Sequence, residues 1–303
     1  MPDETWEIPS DPTTSDPPAT AAGLPDGLVL VSTPIGNLQD LSPRAIAVLG
    51  AAHTVLCEDT RVTARLCAVV GITPTLMALH DHNESARVPQ VLRLLREGRR
   101  VALVSDAGTP LVSDPGYRLV RAALEAGLPV SAVPGPNAAV LALTLSGLPP
   151  HPFLFMGFLA PKGAARRAAL ARLRAAERAG LSATLIFHEA PHRLAEALLD
   201  MADLLGPRPA AVARELTKRF EEVVRGTLPD LAARYAVAPP RGEVTLVVGP
   251  PPEEEAPAEA DLDALLRAAL EGHTLKEAVA EVTAATGLPR RQVYARALTL
   301  GGA

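Results

Sequence analysis

The chain has 303 residues, 48% of them apolar, 3% aromatic and 21% charged, with a formal net charge of −5. That length suits about two domains with cores built from Ala, Leu and Val rather than rings. The acidity excludes a broadly basic nucleic-acid coat, so any RNA contact must come from a local patch, and no apolar run reaches the roughly 18 residues of a membrane span.

Residues 1–25 are rich in Pro, Thr, Ser and Asp, without a hydrophobic period, and are expected to be disordered. The Met-Pro-Asp-Glu start lacks the basic and apolar regions of a secretory signal, so a cytoplasmic location is expected. An N-terminal α/β domain over 26–149 follows. Residues 28–32 read as a buried strand. Ser42-Pro43 reads as an N-cap with Pro at the first helical position. Further strands are expected at 54–57, 101–105 and 129–133, with helical patterns at 91–95 and 119–126 ending near Gly98 and Gly127. This βαβ rhythm predicts a largely parallel sheet. The two cysteines, Cys57 and Cys67, sit outside any zinc-ligand spacing.

The pattern changes after Pro149-Pro150, where a second α/β domain over 150–249 is expected. Strands are predicted at 153–158, 184–188, 210–214, 220–226 and 243–248. The closeness of 210–214 and 220–226 suggests a hairpin and therefore a mixed sheet. Leu194, Leu198, Met201 and Leu205 trace a helix face closed by Gly206. A Pro/Glu/Ala-rich linker over 250–260 precedes a small helical module, 261–303, whose spacing around Gly287-Leu288-Pro289 has a helix–turn–helix look.

Three polar turns follow strands of the first sheet: Thr33-Pro34-Ile35-Gly36-Asn37, Ser105-Asp106-Ala107-Gly108-Thr109-Pro110 and Pro134-Gly135-Pro136-Asn137. None is a GxGxxG or Walker loop. Ligands of open α/β sheets bind beyond the carboxyl ends of strands, and a helix start capped by Asn137 presents free N–H groups. Three such turns on one sheet form a rim suited to a nucleoside-type cofactor.

With Glu58-Asp59-Thr60-Arg61, Leu79-His80-Asp81-His82-Asn83-Glu84, Asp114-Pro115-Gly116-Tyr117 and Arg214-Glu215-Leu216-Thr217-Lys218, these segments make the chain resemble the ribosomal RNA small-subunit methyltransferase I family, within the tetrapyrrole-methylase-like (class III) methyltransferases. The resemblance spans about residues 28–249 and continues weakly into the tail. It implies two α/β domains of the tetrapyrrole-methylase type, S-adenosylmethionine (SAM) in the cleft between them, a homodimer, and 2′-O-methylation of cytidine 1402 of 16S rRNA in the small ribosomal subunit. Carried over by motif, it places Pro34, Gly36, Asp106, Ala107, Gly108, Thr109, Pro110, Gly135, Pro136 and Asn137 around the cofactor. From the second domain it adds Phe187, packed on the adenine, with Glu189, Arg214 and Glu243. The stretch Gly157-Phe158-Leu159-Ala160-Pro161-Lys162-Gly163 departs slightly from the family's spacing.

A ribose hydroxyl is a weak acid, so a base or cation near it helps methyl transfer. Asp59 or His82 is the expected base and Arg61 an electrostatic anchor, with Lys162 and Lys218 as alternatives; the His80–Glu84 segment is not expected to hold a metal. Lys162, Arg166, Arg167, Arg172 and Arg174, with no acid among them, are the expected RNA contact; the tail reads equally as a nucleic-acid contact through Arg290, Arg291 and Arg296 or as a simple helical packing module. The rival readings are a same-fold methylase acting on a tetrapyrrole or a protein side chain, and a nucleotide-sensing DNA-binding regulator.

Overall fold

The computed structural model describes residues 24–252, 259–286 and 288–301. The expected disordered tail, but for its last two residues, and most of the expected linker lie outside the described residues. The chain divides into two compact units, Met1–Pro251 and Pro252–Ala303.

In the first unit, β1 (Leu28–Val31), β2 (Thr54–Cys57), β3 (Leu76–Ala78), β4 (Val101–Val104) and β5 (Val130–Val133) form a parallel sheet in the order β3-β2-β4-β1-β5. Strand alternation sorts its side chains. Val29, Val31, Val55, Cys57, Ala102 and Val104 pack beneath α1 (Pro43–Ala51) and the inner face of α2 (Thr60–Val69). Leu28, Leu56, Val101 and Leu103 point the other way, onto α3 (Glu84–Arg96) and α4 (Tyr117–Glu125). Burying each such leucine contributes about 1.5–3 kcal/mol. The Ser42 hydroxyl accepts the Ala45 N–H at 3.1 Å and caps α1.

A second sheet, ordered β6-β7-β10-β8-β9, contains β6 (Phe153–Phe158), β7 (Thr184–Glu189), β8 (Pro209–Arg214), β9 (Glu222–Thr227) and β10 (Val244–Val248). The β6–β7 pair is parallel and the other three pairs are antiparallel, so the sheet is mixed. The anticipated hairpin is β8–β9. One face carries α6 (Gly163–Arg178), α7 (Leu194–Leu205) and α8 (Leu228–Val237) over Leu185, Phe187, Val212 and Leu246. The opposite face, through Ile186, Ala211, Ala213 and Val247, packs on α5 (Ala138–Ser146), which leaves the first sheet after β5. Arg225 of β9 donates to the carbonyls of Ser146, at 3.0 Å, and Leu145, closing the C-terminal end of that helix.

The second unit consists of α9 (Glu259–Gly272), α10 (Leu275–Thr286) and α11 (Arg290–Gly301) around Leu262, Leu266, Val279, Val282 and Val293. Thr274 and Glu277 form a reciprocal cap at the start of α10. Arg290 and Arg291 are exposed. Arg296 lies across Asp263 with nitrogen–oxygen distances of 2.6 and 2.8 Å, an ion pair that ties α11 to α9 and fits the packing alternative for this residue. Among the described residues no helix is long and apolar enough to cross a membrane.

Candidate active site

The connections leaving β1 and β4 run to opposite sides, so a topological switch point lies between these neighbouring strands. The loops that follow them are stitched together. The Thr33 N–H donates to the Gly108 carbonyl at 2.9 Å, and the Gly108 N–H returns to the Thr33 carbonyl at 3.1 Å. The Thr33 hydroxyl donates to the Ser105 carbonyl at 3.1 Å. The Thr109 hydroxyl reaches the third loop, donating to the Pro136 carbonyl at 3.0 Å. Gly108 has φ +89, and a Cβ there would press on Ile35 at 3.3 Å. Gly108, Thr109, Pro110, Gly135, Pro136 and Asn137 thus build the rim; the Asn137 side-chain Oδ1 accepts the Val140 N–H at 3.1 Å and starts α5.

Two cavities flank this rim. The larger, about 370 Å³, lies between the sheets, bounded by Ile35, Asp106, Ala107, Ser113 and Asp114 on one side and Phe158, His188, Glu189, Glu243 and Thr245 on the other. The smaller, about 260 Å³, lies between loop 33–37 and α2; Pro34, Gly36 and Asp106 are among its walls. Of the residues expected around the cofactor, Asp106, Ala107, Glu189 and Glu243 line the larger cavity, and Pro34 and Gly36 line the smaller one with Asp106.

Phe187 does not. It is fully buried beneath α7 and α8, because alternation along β7 turns it away from the cavity. Its neighbour His188 faces the cavity instead, with Nδ1 3.1 Å from the Thr245 hydroxyl and its ring against Phe155 and Phe158. Burial pushes its pKa down, which keeps it neutral. Arg214 is spent on Glu222, at 3.2 Å, and on the Arg241 carbonyl.

The charges of the larger cavity are unevenly compensated. Glu189 pairs with Arg193 at 2.6 Å, and Glu243 with Lys218 at 2.7 Å. Asp106 and Asp114 have no such partner among the described residues: Asp106 accepts the Asp59 N–H at 3.1 Å, and Asp114 has a hydrogen bond to Ser105. Burial, reinforced by the charges of Glu58 and Asp106, pushes Asp114 up to about 6. Glu58 is pushed up as well, by partial burial and by Asp106. Sequence reasoning passes over Asp114 because Asp-Pro-Gly reads as a turn; its place after the Asp106 loop is the available signal.

The expected base, Asp59, is poorly suited. Its carboxylate caps α2 by accepting the Arg61 N–H at 2.8 Å and also receives the Arg61 guanidinium at 2.6 Å, which hold it at about 2. Arg61 is 83% exposed at the side chain and anchors Asp59. His82 is exposed on its loop and lines neither cavity. The rest of that polar run is architectural: Asn83 bridges the His80 N–H and the Ala78 carbonyl, and buried Glu84 accepts the Leu119 N–H at 3.0 Å, joining α3 to α4. Among the described residues no three His, Cys, Asp or Glu side chains gather as a metal site would require.

The expected basic patch is also largely neutralised. Arg166 is 4% exposed and donates to Asp200 at 2.6 Å; Arg167 pairs with Asp200 and Asp203; Arg174 lies 3.5 Å from Glu177. The acids stand on α7 or one turn along α6, outside the sequence window that reads as purely basic. Lys162 and Arg172 remain exposed.

The family model for Tetrapyrrole (Corrin/Porphyrin) Methylases matches residues 27–232, and that for the RsmI C-terminal HTH domain matches 256–301. The chain is 52% identical to the ribosomal RNA small subunit methyltransferase I of Micromonospora olivasterospora, over 88% of this chain and 85% of that one. It is 47% identical to the protein of the same name from Mesorhizobium japonicum, over 92% and 94%. Among solved structures, the Thermus thermophilus uroporphyrin-III C-methyl transferase complexed with S-adenyl homocysteine superposes with a TM-score of 0.51 at 22% identity, over 74% of this chain and 97% of that one, a likeness of fold. A match across most of the chain, joined to identities near one half, means that this chain belongs to the ribosomal RNA small subunit methyltransferase I family of the tetrapyrrole methylase group.

Proposed function

We propose that the protein transfers a methyl group from SAM to the 2′-hydroxyl of cytidine 1402 in 16S rRNA of the small ribosomal subunit, acting in the cytoplasm as a homodimer. In this reading the two sheets with their helices are the two domains, 26–149 and 150–249, and the larger cavity between them takes SAM. The observation that carries it is the cavity's charge: Asp106 and Asp114 line it without a basic partner among the described residues, which suits a ligand bearing a sulfonium and an ammonium. Its volume of about 370 Å³ falls in the ordinary range for such ligands. Phe158, Ile35 and neutral His188 offer flat and apolar surface for an adenine.

SAM, when bound, supplies an electrophilic methyl, whose C–S bond breaks as the O2′–C bond forms while sulfur keeps the electron pair. The protein's part is positioning, exclusion of water and placement of negative charge around the cation. Asp106 and Asp114 do the last, and the Thr33–Gly108 and Thr109–Pro136 links hold their loops in place. RNA phosphates meet exposed Lys162 and Arg172 rather than the paired arginines beside them.

The test is transfer from radiolabelled SAM to small subunits from a strain lacking the enzyme, followed by nucleoside mapping. Label in 2′-O-methylcytidine at position 1402 is the expected result. SAM binding without transfer to the subunit refutes the rRNA assignment and redirects the search to other acceptors. Sedimentation at assay concentration checks the dimer.

A further inference from the structure

The smaller cavity is not needed for SAM, yet it shares a wall with the larger one. That wall is Asp106, which lines both spaces, together with loop 33–37. Successive residues of the loop face opposite ways: Ile35 lines the larger cavity, while Pro34 and Gly36 line the smaller. Gly36 is required there, because a Cβ would collide with the Lys218 side chain. The far wall is α2, which presents Val62, Leu66 and Val69. Val62 and Val69 are 39% and 63% exposed, and Leu38 beside them 49%. Exposed Arg65 stands among these apolar groups.

We infer that this smaller cavity is the acceptor subsite, holding the target nucleotide with its 2′-hydroxyl against Asp106. The inference rests on the rRNA reading above. Methyl transfer requires donor and acceptor atoms about 3–3.5 Å apart, so the acceptor must occupy a space that adjoins the SAM cavity, and this one does. A nucleoside is smaller than SAM, and the cavities are ordered in the same way, 260 against 370 Å³. Apolar Leu38, Val62 and Val69 offer a surface for a base plane, and Arg65 a cation for its phosphate. The Asp106 carboxylate takes the hydroxyl proton as the new O–C bond forms. The Asp59 N–H, at 3.1 Å, fixes that carboxylate relative to α2 and so to the acceptor's far wall.

Val62→Trp tests this by filling the subsite from a position already partly exposed. SAM affinity by calorimetry stays within about twofold of the wild type, which also reports an intact fold, while transfer to hypomethylated small subunits falls by about 100-fold or more. A photoreactive amino acid at position 69 cross-links to rRNA next to the methylated nucleotide. Val62→Trp transferring at the wild-type rate, or cross-links formed only to a second copy of the chain, overturns the subsite while leaving the rRNA reading standing. Wild-type protein that binds SAM yet does not methylate the subunit overturns that reading and the subsite with it.

Discussion

With SAM in the larger cavity as proposed, Asp114 should link protonation to SAM binding in a way that can be measured. Its carboxyl is pushed from 3.8 to about 6 by burial and by neighbouring carboxylates. A bound cation favours the ionised form, so the carboxyl of the complex titrates lower. If binding restores the ordinary value, the change is about 6 − 3.8, or roughly two units. Two units correspond to at most about a 100-fold change in affinity, less because Asp114 is only half-buried and solvent screens the interaction. The direction is fixed: SAM affinity is highest near pH 7 and falls as pH drops through 6, levelling below about 4. Calorimetry between pH 4.5 and 7 in two buffers reads both the slope and the proton released on binding. Asp114→Asn should bind SAM with a nearly flat profile and release no proton near pH 6. Wild-type affinity that does not change across this window, or a slope that survives in Asp114→Asn, would falsify the assignment of Asp114 to the cofactor's charge.

The same carboxyl predicts a stability effect in the protein without ligand. Because its folded value is raised, charging it costs stability as pH rises through about 6, so Asp114→Asn should raise Tm at pH 7–8 and leave it unchanged below about pH 4. Phe187→Ala should cost about 3–5 kcal/mol in urea denaturation, with SAM affinity at low temperature within a few-fold of wild type; a complete loss of binding by folded protein would return Phe187 to the adenine. Arg208→Ala, which leaves buried Glu177 with Arg174 at 3.5 Å in place of its fully buried partner, should destabilise by up to about 3–5 kcal/mol, seen as a fall in Tm. Lys162→Glu with Arg172→Glu should weaken binding to the small subunit and flatten its salt dependence. Arg166→Ala should act mainly on Tm, because its loss leaves Asp200 and Glu196 without that partner.

Strands such as β1, β2, β4, β8 and β10 were legible because they concentrate buried aliphatic residues between turn residues, and the rim was legible because its loops follow strands of one parallel sheet. β3 was not: three half-buried residues at a sheet edge leave no pattern to detect. The α6 patch misled because a window along one helix cannot see Asp200 and Asp203 arriving from α7. Phe187 misled for a smaller reason. The strand was correctly located, but the side-chain period of two gives adjacent residues opposite faces, and only the packing of α7 and α8 tells which of Phe187 and His188 meets the cavity. Asp59 and Arg61 looked reactive because they are charged and close together, and that proximity is what satisfies them.

Helix α5 has a consequence for what counts as a separable piece. By chain order it belongs to the first half, yet its apolar side chains are buried against β7, β8 and β10 of the second sheet, and Arg225 closes its last turn. The stretch 147–152 that follows, exposed but for half-buried Leu148, is thus a covalent tie between parts already clasped by a non-covalent one. Cleaving the backbone there should yield a nicked protein that elutes as one species, and the two fragments, expressed apart, should find each other and reconstitute the cleft.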